Sequence, residues 1–140
     1  MPIKDKIEAL KKIKAECKNN YRQYANRYKR LKKYDNIIDL TTSILNASSI
    51  TLILSTPAIP PLFIASAVCS GVQFVVCRVQ DKMKIKDKYS QYLTTANQYY
   101  SLMNEILIVL HKNHLSNEEY QSYIEEVTDK INLIRDTQIL

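Results

Sequence analysis

Residues 40–76 contain no Asp, Glu, Lys, Arg or His, and three prolines, Pro57, Pro60 and Pro61, lie near the middle of this stretch. A membrane crossing takes about 20 helical residues, so the stretch is long enough for two crossings. Proline lacks a backbone donor and disrupts a helix interior, so the prolines mark a turn. The sequence therefore predicts a two-span transmembrane hairpin over residues 37–79, with its turn at residues 56–61.

The segments that flank this hairpin have the spacing of packed helices. Mostly apolar and aromatic residues recur alternately four and three residues apart from Ile3 to Leu52, and neither glycine nor proline occurs in residues 3–55. This spacing is typical of a helix that packs along a partner. A second run of the same kind follows Pro61 and is predicted to end near residues 111–114.

The resulting prediction is an all-α fold, a long antiparallel two-helix hairpin that spans a membrane at its closed end. Its coiled-coil-like cytosolic arms are residues 1–36, which are basic, and residues 80–114. The first helix is expected to run from its arm into the membrane without a break, and the second helix to do the same. The arms are expected to pack through a seam that consists of Tyr21, Tyr24, Tyr28, Leu31, Tyr89, Leu93 and Tyr100.

A short C-terminal amphipathic helix is predicted within residues 115–140. Ser116 and Glu119 form a capping-box pattern, in which each side chain hydrogen-bonds the backbone of the other residue. Tyr120, Ile124, Val127, Ile131 and Ile134 then fall on one face. The acidic residues of this helix make it a candidate partner for the basic first arm.

The charge pattern predicts contact with anionic lipid. The formal net charge is +6, and basic residues flank the hairpin on both sides. Basic residues on the cytosolic side of each crossing indicate an integral membrane protein with both termini in the cytosol. Nucleic acid is an unlikely partner because these residues follow no recognition motif. The predicted headgroup-binding collar consists of Lys29, Arg30, Lys32, Lys33, Arg78, Lys82 and Lys84.

Polar residues in the two predicted crossings recur on one face of each helix. Folding the chain at residue 58 pairs Asp39 with Cys77 and Asn46 with Ser70. The stripe is interpreted either as helix–helix glue or as the lining of a pore in an oligomer, and glue is favoured because the two faces already meet within one chain. Its members are Asp39, Thr42, Asn46, Ser49, Ser66, Ser70, Gln73 and Cys77.

Nothing in the sequence indicates catalysis. One glycine cannot form a glycine-rich phosphate loop, and no nucleophile has an evident base and orienting partner. His111 and His114 are too few for a closed metal site. The three cysteines form no CxxC pair, which argues against a disulfide framework. We therefore expect no enzyme activity, no cofactor and no metal.

Residues 20–34, with the sequence NYRQYANRYKRLKKY, lead directly into the predicted hairpin. This run and the layout of residues 17–112 resemble the SLATT family, two-transmembrane effector domains found beside nucleotide-second-messenger synthases and nucleotide-sensing domains in bacterial defence loci. The resemblance implies an oligomeric membrane effector that forms a pore when triggered. Inclusion membrane proteins of the chlamydial type and some small virion membrane proteins share the same layout, and they imply a structural role.

Three functions remain open at this point. The first is a self-associating, pore-forming or membrane-perturbing effector. The second is a non-conducting membrane scaffold that recruits a cytosolic protein partner through its coiled-coil arms. The third is a soluble cytosolic helical bundle that acts as an interaction module, with the uncharged stretch buried in its core.

Overall fold

The computed structural model describes residues 2–55, 61–112 and 115–138, except for the side chains of residues 52–55, 61–63 and 82. The regular elements of these residues are all α-helices, which confirms the all-α prediction. They are α1 (Ile3–Ser55), α2 (Pro61–Met83), α3 (Ile85–His111) and α4 (Asn117–Asp136). Within the predicted turn, residues 56–60 lie outside the described part of the chain.

Helix α1 is continuous over 53 residues, as its uninterrupted spacing predicts. Its interior contains no glycine or proline, the two residues that most destabilise a helix, so its backbone hydrogen bonds continue without a break.

The second long helix differs from the prediction, because it is broken at Lys84. This residue has a φ of 46° and separates α2 from α3. Its amide donates to the Asp81 carbonyl at 3.3 Å, and its carbonyl accepts from Lys88 at 3.1 Å. Neither glycine nor asparagine stands at this position, although these are the residues that usually signal a left-handed break.

The predicted membrane location is wrong. Among the described residues, no helix combines the length and the apolar character that a membrane crossing requires. This finding contradicts the prediction of an integral membrane protein with both termini in the cytosol. The prediction relied on the lack of charge, but lack of charge does not make a segment apolar. In α1 the uncharged stretch carries Thr41, Thr42, Ser43, Asn46, Ser48, Ser49 and Thr51.

The chain divides into two compact units. The terminal unit comprises Met1–Tyr28 and Gln91–Leu140, and the central unit comprises Lys29–Ser90. The terminal unit contains a three-helix core from α1, α3 and α4. Its buried members are Leu10, Cys17, Tyr99, Leu102, Ile106, Tyr120, Val127, Ile131 and Ile134.

Helix α4 begins at the predicted capping box, which is confirmed. The Ser116 amide donates to Oε2 of Glu119 at 2.6 Å, and the Glu119 amide donates to Oγ of Ser116 at 3.2 Å. Helix α4 runs parallel to α1, because Lys6 donates to the Asn117 carbonyl at 2.9 Å while Glu16 pairs with Arg135 at 2.5 Å. In this ion pair the acidic partner lies on the basic first arm, not on α4.

Candidate interaction surfaces

In the described part of the central unit, polar side chains lie between α1 and α2, and many apolar side chains are exposed. Asp35 and Ser49 of α1 and Ser66 of α2 are buried. The large exposed apolar side chains lie on α1 and α2 instead. We call them the central apolar surface, and its members are Ile37, Leu40, Ile44, Ile50, Ile64, Val68, Val72, Phe74, Val75, Val79 and Met83.

Much of this surface forms one stripe on each helix. On α1 the exposed residues Ile37, Leu40 and Ile44 follow each other at three and four residues. On α2 the exposed residues Ile64, Val68, Val75 and Val79 recur at four, seven and four residues. Such spacings place residues on a single helix face. Each helix therefore presents an apolar stripe that nothing in the described part of the chain covers completely.

Polar side chains form hydrogen bonds between α1 and α2. Gln73 donates a hydrogen bond from its side-chain amide to Oδ1 of Asn46. Gln80 donates to Oδ1 of Asp35 at 3.2 Å and to Oδ1 of Asp39 at 3.1 Å. Because the numbers rise on α1 as they fall on α2, the two helices are antiparallel in this unit.

The observed partners are displaced by one helical turn from the predicted ones. Asn46 contacts Gln73 where the fold-back at residue 58 predicts Ser70, and Asp39 contacts Gln80 where it predicts Cys77. Three residues are close to one turn of about 3.6 residues. The sequence therefore identifies the contacting faces, but the packing of the two helices sets their register.

The remaining stripe residues have mixed environments. The hydroxyls of Thr42 and Ser49 are buried and have no hydrogen-bond partner among the described residues. Ser70 is exposed and Cys77 is half-buried. Asp39 is exposed, and the Lys86 ammonium lies 3.7 Å from its carboxylate. The interpretation of the stripe as helix–helix glue or as the lining of a pore stays a prediction.

The collar residues of the central unit point to solvent. Lys29, Arg30, Lys32 and Lys33 are exposed on α1, and Lys84 is exposed at the break between α2 and α3. Arg78 is exposed, and its guanidinium lies 5.2 Å from the centre of the Phe74 ring. The side chain of Lys82 lies outside the described part of the chain.

In the terminal unit, tyrosine rings join α1 to α3. The Tyr24 ring stacks on the Tyr99 ring with centroids 5.9 Å apart, and it lies 6.0 Å from the Tyr92 ring. The rings of Tyr21 and Tyr100 are 5.4 Å apart. Burial raises the pKa of the Tyr99 hydroxyl, and the neighbouring Tyr24 adds to the shift. Aromatic pairs at these distances contribute about 0.5–1.5 kcal/mol beyond the area they bury.

The buried face of α3 lies one residue away from the predicted seam. Tyr99, Leu102 and Ile106 are buried, whereas the seam residues Leu93 and Tyr100 are exposed. Tyr92 and Tyr99 are therefore the contacts that the sequence reasoning missed. A signal was present, because Tyr92, Ala96, Tyr99, Met103 and Ile106 also recur at four and three residues. The other seam residues, Tyr28, Leu31 and Tyr89, are half-buried.

The terminal unit also contains an open groove of about 540 Å³ between α1 and α3. We call it the basic groove. It is lined by Lys11, Lys14, Ala15 and Lys18 of α1 and by Leu107, Leu110 and His111 of α3. On another side of the unit, Lys130 bridges Glu105 at 3.0 Å and Glu126 at 2.9 Å, and these bonds raise the pKa of its ammonium.

The described residues contain no cluster of three His, Cys, Asp or Glu side chains that could hold a metal ion. The features with potential for recognition are therefore the central apolar surface and the basic groove. Comparisons with protein-family models, with curated proteins and with solved structures found no match to this chain. The resemblance to the SLATT family stays a prediction.

Proposed function

We propose that this chain is a helical interaction protein that self-associates through the central apolar surface. The exposed apolar side chains of the central unit carry the proposal. The antiparallel pair of α1 and α2 buries the polar residues Asp35, Ser49 and Ser66 while it exposes isoleucines and valines. Many large apolar side chains exposed on neighbouring helices mark an interaction site.

A second copy of the chain is the partner that suits this surface best. The α2 stripe is made of isoleucine and valine, and it has no charge between Ile64 and Val75 that a different partner could recognise. Identical apolar stripes are complementary to each other under two-fold symmetry, since the same patch serves both sides. The seven- and four-residue spacings also suit the packing of helix against helix.

Magnitudes indicate that several residues must take part. Fully burying one isoleucine or valine side chain contributes about 1.5–3 kcal/mol. Association costs about 4–15 kcal/mol in lost translational and rotational freedom. A contact that covers only one or two of these side chains would not be stable, whereas a contact along both stripes overcomes the cost. The hairpin arrangement of α1 and α2 is part of this proposal, because it places the two stripes on one unit.

The test compares two substitutions on the same helix of the full chain. Val68→Glu places a charge in the α2 stripe, and Ser70→Glu places the same charge on an exposed position outside it. Sedimentation equilibrium over a range of protein concentrations should show an oligomer for the unmodified chain. We expect Val68→Glu to weaken association at least about tenfold, which corresponds to about 1.4 kcal/mol. Ser70→Glu should leave association close to that of the unmodified chain.

Two outcomes contradict the proposal. One is a monomer at every concentration, and the other is an equal effect of the two substitutions. Sedimentation with phosphatidylserine vesicles separates self-association from lipid binding. If the chain is monomeric and binds such vesicles, and if Val68→Glu abolishes this binding, then the central apolar surface binds anionic lipid instead. Circular dichroism of each variant checks that the helices are retained.

A further inference from the structure

The basic groove lies on a face of the terminal unit that has the layout of an unfilled helix-binding site. Its lining residues come from α1 and α3, whereas α4 packs against these helices through Tyr120, Val127 and Ile131. Three helices thus share one core, and two of them form the walls of a groove on the surface. A fourth helix in such a groove gives a four-helix bundle, which is a common way for helices to pack.

From Leu107, which lines the groove, a seven-residue repeat of apolar side chains extends along α3 beyond the groove. Leu93, Tyr100 and Leu107 lie seven residues apart, and they are 38%, 47% and 38% exposed. A seven-residue repeat keeps apolar side chains on one line along a helix, and this is the spacing of a seam that packs against a partner helix. Helix α3 therefore has two seams. The one through Tyr99 and Ile106 is filled by the core. The other is partly exposed, and its Tyr100 ring also packs against the Tyr21 ring of α1.

The opposite wall of the groove is positively charged. Lys11, Lys14 and Lys18 follow each other at three and four residues, so their side chains share one face of α1. Within the described residues, no carboxylate forms an ion pair with any of the three. His111 adds a further polar group at the end of α3, where its Nδ1–H donates to the Leu107 carbonyl at 2.7 Å. The groove combines apolar side chains with a row of cations that have no ion-pair partner among the described residues.

We propose that the basic groove binds an acidic amphipathic helix of another protein. Apolar residues of that helix would pack on Leu107 and Leu110, which line the groove, and its carboxylates would face Lys11, Lys14 and Lys18. Docking of an amphipathic helix into a groove through residues of this spacing is a recurrent mode of recognition. Because the groove belongs to the terminal unit, this inference is independent of self-association through the central apolar surface.

A second copy of the chain fits this groove less well. If two copies docked groove against groove, the lysines of one groove would face the lysines of the other and repel them. The net acidic helix of the chain, α4, carries the exposed carboxylates Glu118, Glu125 and Asp129, but Leu133 is its one large exposed apolar residue among those described. It therefore offers charge without the seven-residue apolar line that the α3 face requires.

The test uses two synthetic helices of about three heptads. Both carry leucine along one seam, and their flanking positions carry glutamate in the first helix and lysine in the second. Titration of fluorescently labelled peptide with the full chain gives the two affinities. We expect the acidic helix to bind at least about tenfold more tightly than the basic helix. Its affinity should fall when the salt concentration is raised to about 0.3 M, because exposed charges are then screened.

Variants of the chain locate the binding site. Replacing Lys11, Lys14 and Lys18 together by glutamate should weaken binding of the acidic helix at least about tenfold. Lys12→Glu is the matched control, since Lys12 is exposed on the same helix and does not line the groove, and it should change binding little. Leu107→Gln should weaken binding of both peptides, because it removes an apolar contact.

Four results would overturn the proposal. The first is that neither peptide binds, and the second is that both bind equally. The third is that Lys12→Glu weakens binding as much as the triple substitution, which would reduce the effect to general charge attraction. The fourth is that the triple substitution abolishes self-association of the chain, because the occupant would then be a second copy. Circular dichroism checks that the triple variant keeps its helices.

Discussion

Ser116 and Glu119 show how two side chains fix the start of a helix. Each hydrogen-bonds the backbone of the other, and the bond from the Ser116 amide lowers the pKa of the Glu119 carboxyl. A carboxyl with a lowered pKa in the folded state stabilises the fold above its unfolded pKa. This contribution is lost as the pH falls through the folded pKa. The cap therefore makes α4 sensitive to acid.

Ser116→Ala tests this cap. The substitution removes the acceptor for the Glu119 amide, and we expect the free energy of unfolding to fall by about 1 kcal/mol. Urea unfolding at neutral pH, followed by circular dichroism, measures the change. Ser122→Ala is the control, because Ser122 is exposed within the same helix and should have little effect. If both variants lower the free energy of unfolding equally, the capping interaction does not stabilise the helix.

Cys17 is a second residue whose environment determines its chemistry. Burial, together with the neighbouring Glu16 carboxylate, raises the pKa of its thiol to about 11. Because the thiolate is the reactive form, about one thiol in a thousand is ionised at pH 8. The side chain is also fully buried, so a reagent has no direct access to it.

We therefore expect Cys17 to resist alkylation in the folded chain. A chain with Cys69→Ser and Cys77→Ser isolates its reaction with iodoacetamide at pH 8, which mass spectrometry can follow. Labelling should be slow in buffer and fast in concentrated urea. A chain with Cys17→Ser keeps Cys69 and Cys77, which are half-buried, and gives their rate of labelling for comparison. Rapid labelling of Cys17 in buffer would contradict the packing of the terminal core.

At the scale of the element, α3 buries a different line of residues from the predicted one. The seam predicted through Leu93 and Tyr100 assumes one helix from Pro61 onward. The break at Lys84 interrupts the helical repeat, and α3 buries the neighbouring line of residues through Tyr99 and Ile106. Both lines are apolar at helical spacing, so the sequence alone does not decide which one faces the core.

Paired substitutions at adjacent positions test this assignment. Ile106→Ala removes a fully buried side chain, and we expect it to lower the free energy of unfolding by about 2–5 kcal/mol. Leu107→Ala removes an exposed one and should cost less than about 1 kcal/mol. Urea unfolding of the two variants measures the difference. A larger loss for Leu107→Ala would mean that the predicted seam is the buried one.

Two helices were predictable from local signals. Helix α1 lacks glycine and proline over residues 3–55, and α4 begins with a capping box that is visible in four residues. The break at Lys84 was not predictable, because no residue there favours a left-handed backbone. The register of Asn46 against Gln73 was predictable to one helical turn, since spacing defines a face but not the position of its partner along the axis.

At the scale of the whole molecule, the two units use apolar side chains in opposite ways. The terminal unit buries them in a core that includes Leu10, Ile106 and Val127, and the central unit exposes Ile44, Val68 and Val75. The lack of charge in residues 40–76 identified the part of the chain that exposes large apolar side chains. The spacing of the polar side chains predicted that they meet between the helices, but it did not give the register, which depends on how α1 packs against α2.

The distribution of tyrosine has a practical consequence for spectroscopy. The chain has ten tyrosines and no tryptophan, and eight of the ten belong to the terminal unit. Intrinsic fluorescence and near-ultraviolet circular dichroism therefore report mainly on that unit, with the stacked rings of Tyr24 and Tyr99 at its centre. A single tryptophan introduced into the central unit would give that unit an optical signal of its own, without any attached dye.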